Sequence, residues 1–260
     1  MIPRWIWIPA VAALALVALP LIGMLVRVPW SELAGLLTSQ AAGQALGLSL
    51  LTSVTATVLA VLLGVPLAFV LARCTGRGAT ILRGFVLVPM VLPPVVAGLA
   101  LLATFGRRGL VGRLLAEIGV EIGFTTVAVV LAQAFVALPF LVISLEGALR
   151  SASGQYAAIA VTLGASPTRV LRRVVLPMAA PALVSGTALA FARALGEFGA
   201  TLTFAGSLPG TTRTMPLLIY LAREQDQNLA LALAVVLIAV AAVIVGVSAR
   251  FQRRGGGWSA

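Results

Sequence analysis

Arg193 and Glu197 stand four residues apart in the segment FARALGEFGATLTF, where nearly every other side chain is apolar or small. On a helix that spacing puts both on one face, here near the outer end of an apolar span. An unpaired charge in hydrocarbon is costly, so the spacing favours mutual pairing, with the hydroxyls of Thr201 and Thr203 nearby. Other chemistry-bearing residues are scarce. The chain has no histidine, no lysine, a single aspartate (Asp226) and a single cysteine (Cys74). A nucleotide-phosphate loop of the GxxxxGK[ST] kind needs a lysine, so none is present. Metal sites built from Cys and His, and Ser-His-Asp or Cys-His triads, are excluded too. One cysteine cannot close an intramolecular disulfide. No catalytic residue, metal ligand or cofactor is expected on this chain, and any energy-driven work must be powered through another one.

A second constellation is built for contact rather than catalysis. In YAAIAVTLGASPTRVLRRVVLP, Tyr156 to Pro177, the residues Tyr156, Ile159, Ala160 and Leu163 repeat at helical spacing, and Ala157 and Ala158 are small. Gly164 follows where a helix would stop, and Ala165, Ser166 and Pro167 lead into the next. Serine is a favoured N-cap because its hydroxyl accepts from an orphan backbone N–H, and proline suits the first helical position. The second helix is expected to carry Arg169, Arg172 and Arg173 on one face. An apolar helix held outside a membrane calls for a protein partner. An interfacial helix lying among lipid headgroups is the competing reading, but it would separate polar from apolar faces. Residues 157–163 are apolar or small all round except Thr162.

The elements that must hold these residues are membrane spans. The chain is 61% hydrophobic and 10% charged, against roughly 25% charged in soluble domains. Its mean hydropathy of +1.12 completes the picture of an integral membrane protein. Spans of about 20 residues divide 260 residues into about six helices and leave no room for a soluble domain. They are expected near residues 5–26, 46–72, 84–105, 124–145, 178–198 and 229–249, with a cytoplasmic loop over 146–177 and an outer loop over 199–228. The first span is read as retained rather than cleaved, since it runs well past about 15 apolar residues. Pro89, Pro93 and Pro94 each delete a backbone donor, so the third span should kink.

Arginine sets the orientation. With both termini in the cytoplasm, Arg4, Arg73, Arg77, Arg83, Arg150, Arg169, Arg172, Arg173, Arg250, Arg253 and Arg254 lie inside. Outside are Arg27, Arg107, Arg108, Arg113, Arg213 and Arg223, balanced by Glu32, Glu117, Glu121, Glu224 and Asp226. The net charge of +11 therefore records topology, not nucleic-acid binding.

The loop resembles that of the membrane permease subunit of an ATP-binding-cassette importer, which carries E-A-A, a downstream G and I-x-L-P. The matching residues are Ala157, Ala158, Gly164, Val174, Leu176 and Pro177, with Tyr156 in place of the family's glutamate and Val174 in place of its isoleucine. VPMVLPPVVAG, Val88 to Gly98, is similar to the third span of the molybdate and sulfate branch. The G-E-F-G-A-T-x-T-F core from Gly196 and the later T-R-T-x-P-L-x-I-Y run resemble the molybdate permeases.

The resemblance implies an all-α type I importer permease with six transmembrane helices in the bacterial inner membrane. Its partners would be a second copy, two cytoplasmic ATP-binding subunits carrying ATP and magnesium, an extracytoplasmic molybdate-binding protein and lipid. Tyr156, Ala157, Ala158, Ile159, Leu163, Gly164, Ala165, Arg169 and Pro177 would form the ATPase-coupling loop. Pro93, Pro94, Arg193, Glu197, Thr201 and Thr203 are candidates for the pathway or gate, and Arg213 for contact with the binding protein. Whether Arg193 and Glu197 only order their helix or also help an oxyanion pass stays open, as does permeation of sulfate, thiosulfate or tungstate. A stand-alone secondary transporter or channel is the alternative from another class. Proton-coupled carriers usually hold several intramembrane ionisable groups, and here only Arg193 and Glu197 qualify.

Overall fold

A computed structural model describes residues 3–31, 33, 35 and 38–255, with residues 151–155, 157 and 251–255 described by backbone alone. Glu32 and the tail 256–260 lie outside the described residues. Every regular element among those described is helical.

The first long helix, α1 (Trp7–Arg27), is apolar on all sides and buries none of its residues, which suits a helix facing lipid or another chain. Next, α2 (Gln40–Arg73) begins where Ser39 Oγ accepts the Ala42 N–H at 3.3 Å, and its 34 residues rise about 51 Å, well over the hydrocarbon thickness. Its buried stripe is small and polar: Ala42, Ala45, Ser49, Ser53, Ala56, Ala60, Gly64 and Ala68. Small residues let helix backbones approach closely in a membrane. The helix they admit is α6 (Thr126–Thr162), capped by Thr125 and packed along α2. At Gly64 even a methyl group would sit 3.1 Å from Leu141 of α6.

The third expected span is a broken pair: α3 (Arg77–Val91) and α4 (Pro94–Phe105), bent by 113°. Pro93 occupies the N-cap of α4 and Pro94 its first turn, so the prolines end one helix and start another. A short α5 (Gly112–Glu117) precedes α6. Beyond α6 come α7 (Pro167–Val170), a π-helical stretch over Leu171–Val175, and α8 (Leu176–Leu195), which run together as one rod. Then follow α9 (Gly199–Ala205), α10 (Met215–Gln225) and α11 (Gln227–Gly255). The bundle core is α2 against α6, α6 against α8, and α8 against α11.

Over 146–177, α6 continues unbroken to Thr162 and the chain turns at Gly164 before α7; the residues past the span include good helix formers and no proline before Pro167. Two expectations need correction. The 199–228 loop holds two helices, α9 and α10, whose apolar faces bury Phe204, Met215, Leu217 and Leu218. Ser166 has the extended backbone of an N-cap, but its side chain makes no capping bond.

Helices α4 and α9 approach each other closely. A Cβ on Gly98 would lie 2.6 Å from Thr203 Cβ and 2.9 Å from the Ala200 carbonyl oxygen, and one on Gly199 would lie 2.4 Å from Pro94 Cβ. Backbone atoms cannot yield as a flexible side chain would. Gly98→Val is therefore expected to destabilise the protein by about 1–3 kcal/mol through overpacking. Gly84→Ala, with nothing within 4 Å of its added methyl, should be near neutral. Thermal unfolding of the two purified variants checks this; equal midpoints would contradict the packing.

Candidate functional site

Two sites emerge, one at each end of the bundle. The first is centred on Glu197. Helix α8 ends at Leu195, and the Glu197 N–H donates to the Ala194 carbonyl at 3.1 Å, so this residue sits in the turn after the helix rather than on it. The ion pair still forms: Arg193 Nη1 lies 2.6 Å from Glu197 Oε2. Glu197 is 1% exposed and Arg193 32%, so the carboxylate is the sequestered member and the guanidinium keeps a path to the surface. The other carboxylate oxygen, Oε1, accepts the Ala200 N–H at 2.8 Å. That N–H belongs to the first turn of α9, where donors lack intrahelical partners and negative charge is favoured. Glu197 thus joins the end of α8 to the start of α9.

The hydroxyls beyond it differ. Thr203 Oγ1 donates back to the Gly199 carbonyl at 2.9 Å, and its Cβ abuts Gly98. Thr201 is fully buried, and its Oγ1 meets no partner among the described residues. Ser53 on α2, Gln133 on α6 and Thr214 before α10 share that condition. Pro93 and Pro94 stay exposed at the bend, with Pro94 against Gly199. A largely apolar cleft of about 530 Å³ opens beside the pair, lined by Gly196, Phe198, Ile219, Tyr220, Arg223 and Gln227. Arg213 is half-buried, with Nε donating to Ser207 Oγ at 3.2 Å and Nη2 to the Ser207 carbonyl at 3.1 Å. The structure therefore brings Pro94, Arg193, Glu197, Thr201 and Thr203 to one junction and leaves Arg213 bracing the turn before α10.

The second site is the end of α6. Gly164 has φ +79°, a region that L side chains avoid. Its N–H donates to the Val161 carbonyl at 2.9 Å, and the Ala165 N–H to the Ala160 carbonyl at 3.0 Å. That pair of bonds is a Schellman stop, which satisfies the carbonyls a helix end leaves free. Ala160 and Ala165 pack beneath it against the core that contains Leu149, Val170 and Val175. On the outside, Tyr156, Ile159 and Leu163 are 60%, 50% and 81% exposed, a ridge of apolar side chains left uncovered by the described residues. Ala158, Arg169 and Pro177 are also exposed, and Ala157 is described by backbone alone. An apolar ridge on a rigid stop is suited to docking.

Several residues here escaped sequence reasoning. Ser49, buried within α2, accepts the Met215 N–H at 2.7 Å and so ties α2 to α10 across 166 residues of sequence. Arg83 and Glu146 pair at 2.6 Å, although nothing in their spacing suggests a meeting.

Comparison with known proteins agrees with this layout. A family model described as "Binding-protein-dependent transport system inner membrane component" matches residues 60–255. The chain is 56% identical over 250 residues to the molybdenum transport system permease protein ModB of Mycobacterium tuberculosis, covering 96% of this chain and 95% of that protein. It is 36% identical over 159 residues to the sulfate transport system permease protein CysT of Salmonella typhimurium, covering 61% and 57%. Among solved structures, a chain of a bacterial alginate ABC transporter in complex with a pentasaccharide-bound periplasmic protein superimposes with a TM-score of 0.73 at 18% identity, over 96% of this chain and 93% of that one. At that identity the likeness speaks for the fold alone.

Proposed function

Because this chain belongs to the family of binding-protein-dependent transport system inner membrane components, we propose that it is the membrane-spanning subunit of an ATP-driven importer that moves molybdate into the cell. The observation that carries the substrate is the 56% identity to a molybdenum permease along 96% of the chain. The sulfate relative matches a shorter stretch at lower identity. The chain is a permease and not an enzyme; hydrolysis of ATP belongs to a separate subunit.

The geometry supports a division of labour. The ridge of Tyr156, Ile159 and Leu163 docks on a cytoplasmic ATP-binding subunit, and Gly164 fixes its angle. Arginine asymmetry supports a cytoplasmic position for this end and for both termini. Two copies enclose the pathway, because a bundle of about six helices with an uncovered α1 has surface left for a partner. ATP and magnesium reside on the ATP-binding subunits, and none of this chain's residues holds a cofactor. At the opposite end an extracytoplasmic binding protein delivers the oxyanion. Glu197 holds Arg193 at the junction of α4, α8 and α9, where a partly exposed guanidinium meets the anion without trapping it. Pro93, Pro94, Thr201 and Thr203 shape the same junction. Arg213 stiffens the turn behind the face that meets the binding protein.

The test is ATPase activity of the reconstituted complex with binding protein loaded with molybdate, tungstate or sulfate. Molybdate-loaded protein is expected to stimulate hydrolysis well above sulfate-loaded protein. Preference for sulfate would move the chain to the sister branch, and no stimulation by any loaded protein would overturn the importer reading.

A further inference from the structure

A second ion cluster lies at the end of the bundle that carries the docking ridge, and no step above uses it. Arg83, in the first half of α3, donates Nε–H to Glu146 Oε1 of α6 at 2.6 Å. Its Nη2 donates to the Leu71 carbonyl at 2.6 Å and the Cys74 carbonyl at 3.1 Å. Those carbonyls close α2, where helix ends lack acceptors' partners. One planar guanidinium therefore ties three helices together, a task its rigid fork of donors suits better than a lysine would. Exposed ion pairs fix little, but these side chains are only 23% and 12% exposed. Arg150 stands 3.6 Å from the same carboxylate oxygen and helps hold it in place.

The placement gives the clasp its meaning. Leu71, itself an attachment point on α2, and Leu145 and Leu149, beside Glu146 on α6, form one core with Val170 and Val175, and Ala160 and Ala165 of the docking turn pack on that core. The clasp is thus rooted in the block that bears the ridge. By contrast α3 is loosely held: Ala79 is its one buried residue, while Phe85 and Val91 are 71% and 82% exposed. From α3 the chain crosses the 113° bend into α4, whose Gly98 lies against Thr203 and Ala200 beside Glu197.

We propose that the Arg83–Glu146 clasp is the positioning link that makes α3 move with the docking segment, so that movement of the ATP-binding subunits reaches α4 and the Arg193–Glu197 junction. This rests on the importer reading. Arg83 and Glu146 touch neither nucleotide nor anion; they set where α3 stands.

The experiment measures ATP hydrolysed per molybdate imported, in proteoliposomes holding this chain with its ATP-binding subunit and binding protein. Glu146→Gln and Arg83→Gln are each expected to raise that ratio at least about fivefold, with the double variant no worse than the singles, as for residues acting through one contact. Arg83→Lys keeps the charge but not the fork, and should fall between; it decides the matter if the glutamine variants do not assemble. Wild-type ratios in the variants, even with lowered thermal stability, would overturn the proposal and leave the clasp purely structural. Absence of ATP-dependent uptake by the unaltered complex would instead overturn the importer reading.

Discussion

Gly164→Pro is expected to cut molybdate uptake by more than about tenfold while the chain still inserts and its ATP-binding partner still hydrolyses ATP. Proline fixes φ near −65° and has no N–H, whereas Gly164 sits at φ +79° and donates to Val161 at 2.9 Å. Both halves of the stop fail at once, and the chain must leave α6 at another angle. No buried side chain is lost, since Gly164 is exposed with open space around it, so insertion should survive. Gly164→Ala keeps the bond and meets only the left-handed penalty, about 1–2 kcal/mol, and should retain partial transport. Uptake and hydrolysis measured on the same vesicles check this. Coupled transport at the normal rate in the proline variant would remove the docking role from this turn.

Arg193→Ala is the second large effect. It strands a carboxylate that is 1% exposed, and breaking a buried pair costs about 3–5 kcal/mol. Arg193 is 32% exposed, so the lower end, about 3 kcal/mol, is expected. Glu197→Gln should be milder, because the amide oxygen can still accept the Ala200 N–H that Glu197 Oε1 now holds at 2.8 Å. Stability and transport then separate the two roles of the arginine. Arg193→Lys restores a cation, and recovery of assembly with a raised transport KM would mark a group that meets the anion. Full transport by assembled Arg193→Ala would leave Arg193 with its structural role alone.

Much of this was legible in the sequence because a membrane restricts what a chain can do. Long apolar stretches must be helices when backbone groups have no water to bond. Gly164 followed by Ser166 and Pro167 announced a stop and a restart, and the prolines at 89, 93 and 94 announced a break. What they could not announce was its size: a bend of 113° depends on Gly98 and Gly199 letting α4 fold onto α9, a contact between segments a hundred residues apart. The pairing of Arg193 with Glu197 followed from their spacing, yet its form did not. Gly196 ends α8 early, so Glu197 leaves the helix and caps the next one. Likewise α9 and α10 looked like loop because each is too short to span a membrane and Gly206, Pro209 and Gly210 lie between them, and packing against α4, α2 and α11 holds them as helices. Arg83 and Glu146 lie 63 positions apart and belong to the class of contact that a single sequence does not reveal.

The most direct measurement is uptake of radiolabelled molybdate into proteoliposomes holding this chain with its ATP-binding subunit and binding protein, with and without ATP, and with sulfate and tungstate as competitors. Uptake that requires ATP and that excess sulfate does not suppress is the expected result. Flux without ATP through this chain alone would contradict the importer, and ATP-driven uptake of sulfate in preference to molybdate would contradict its substrate.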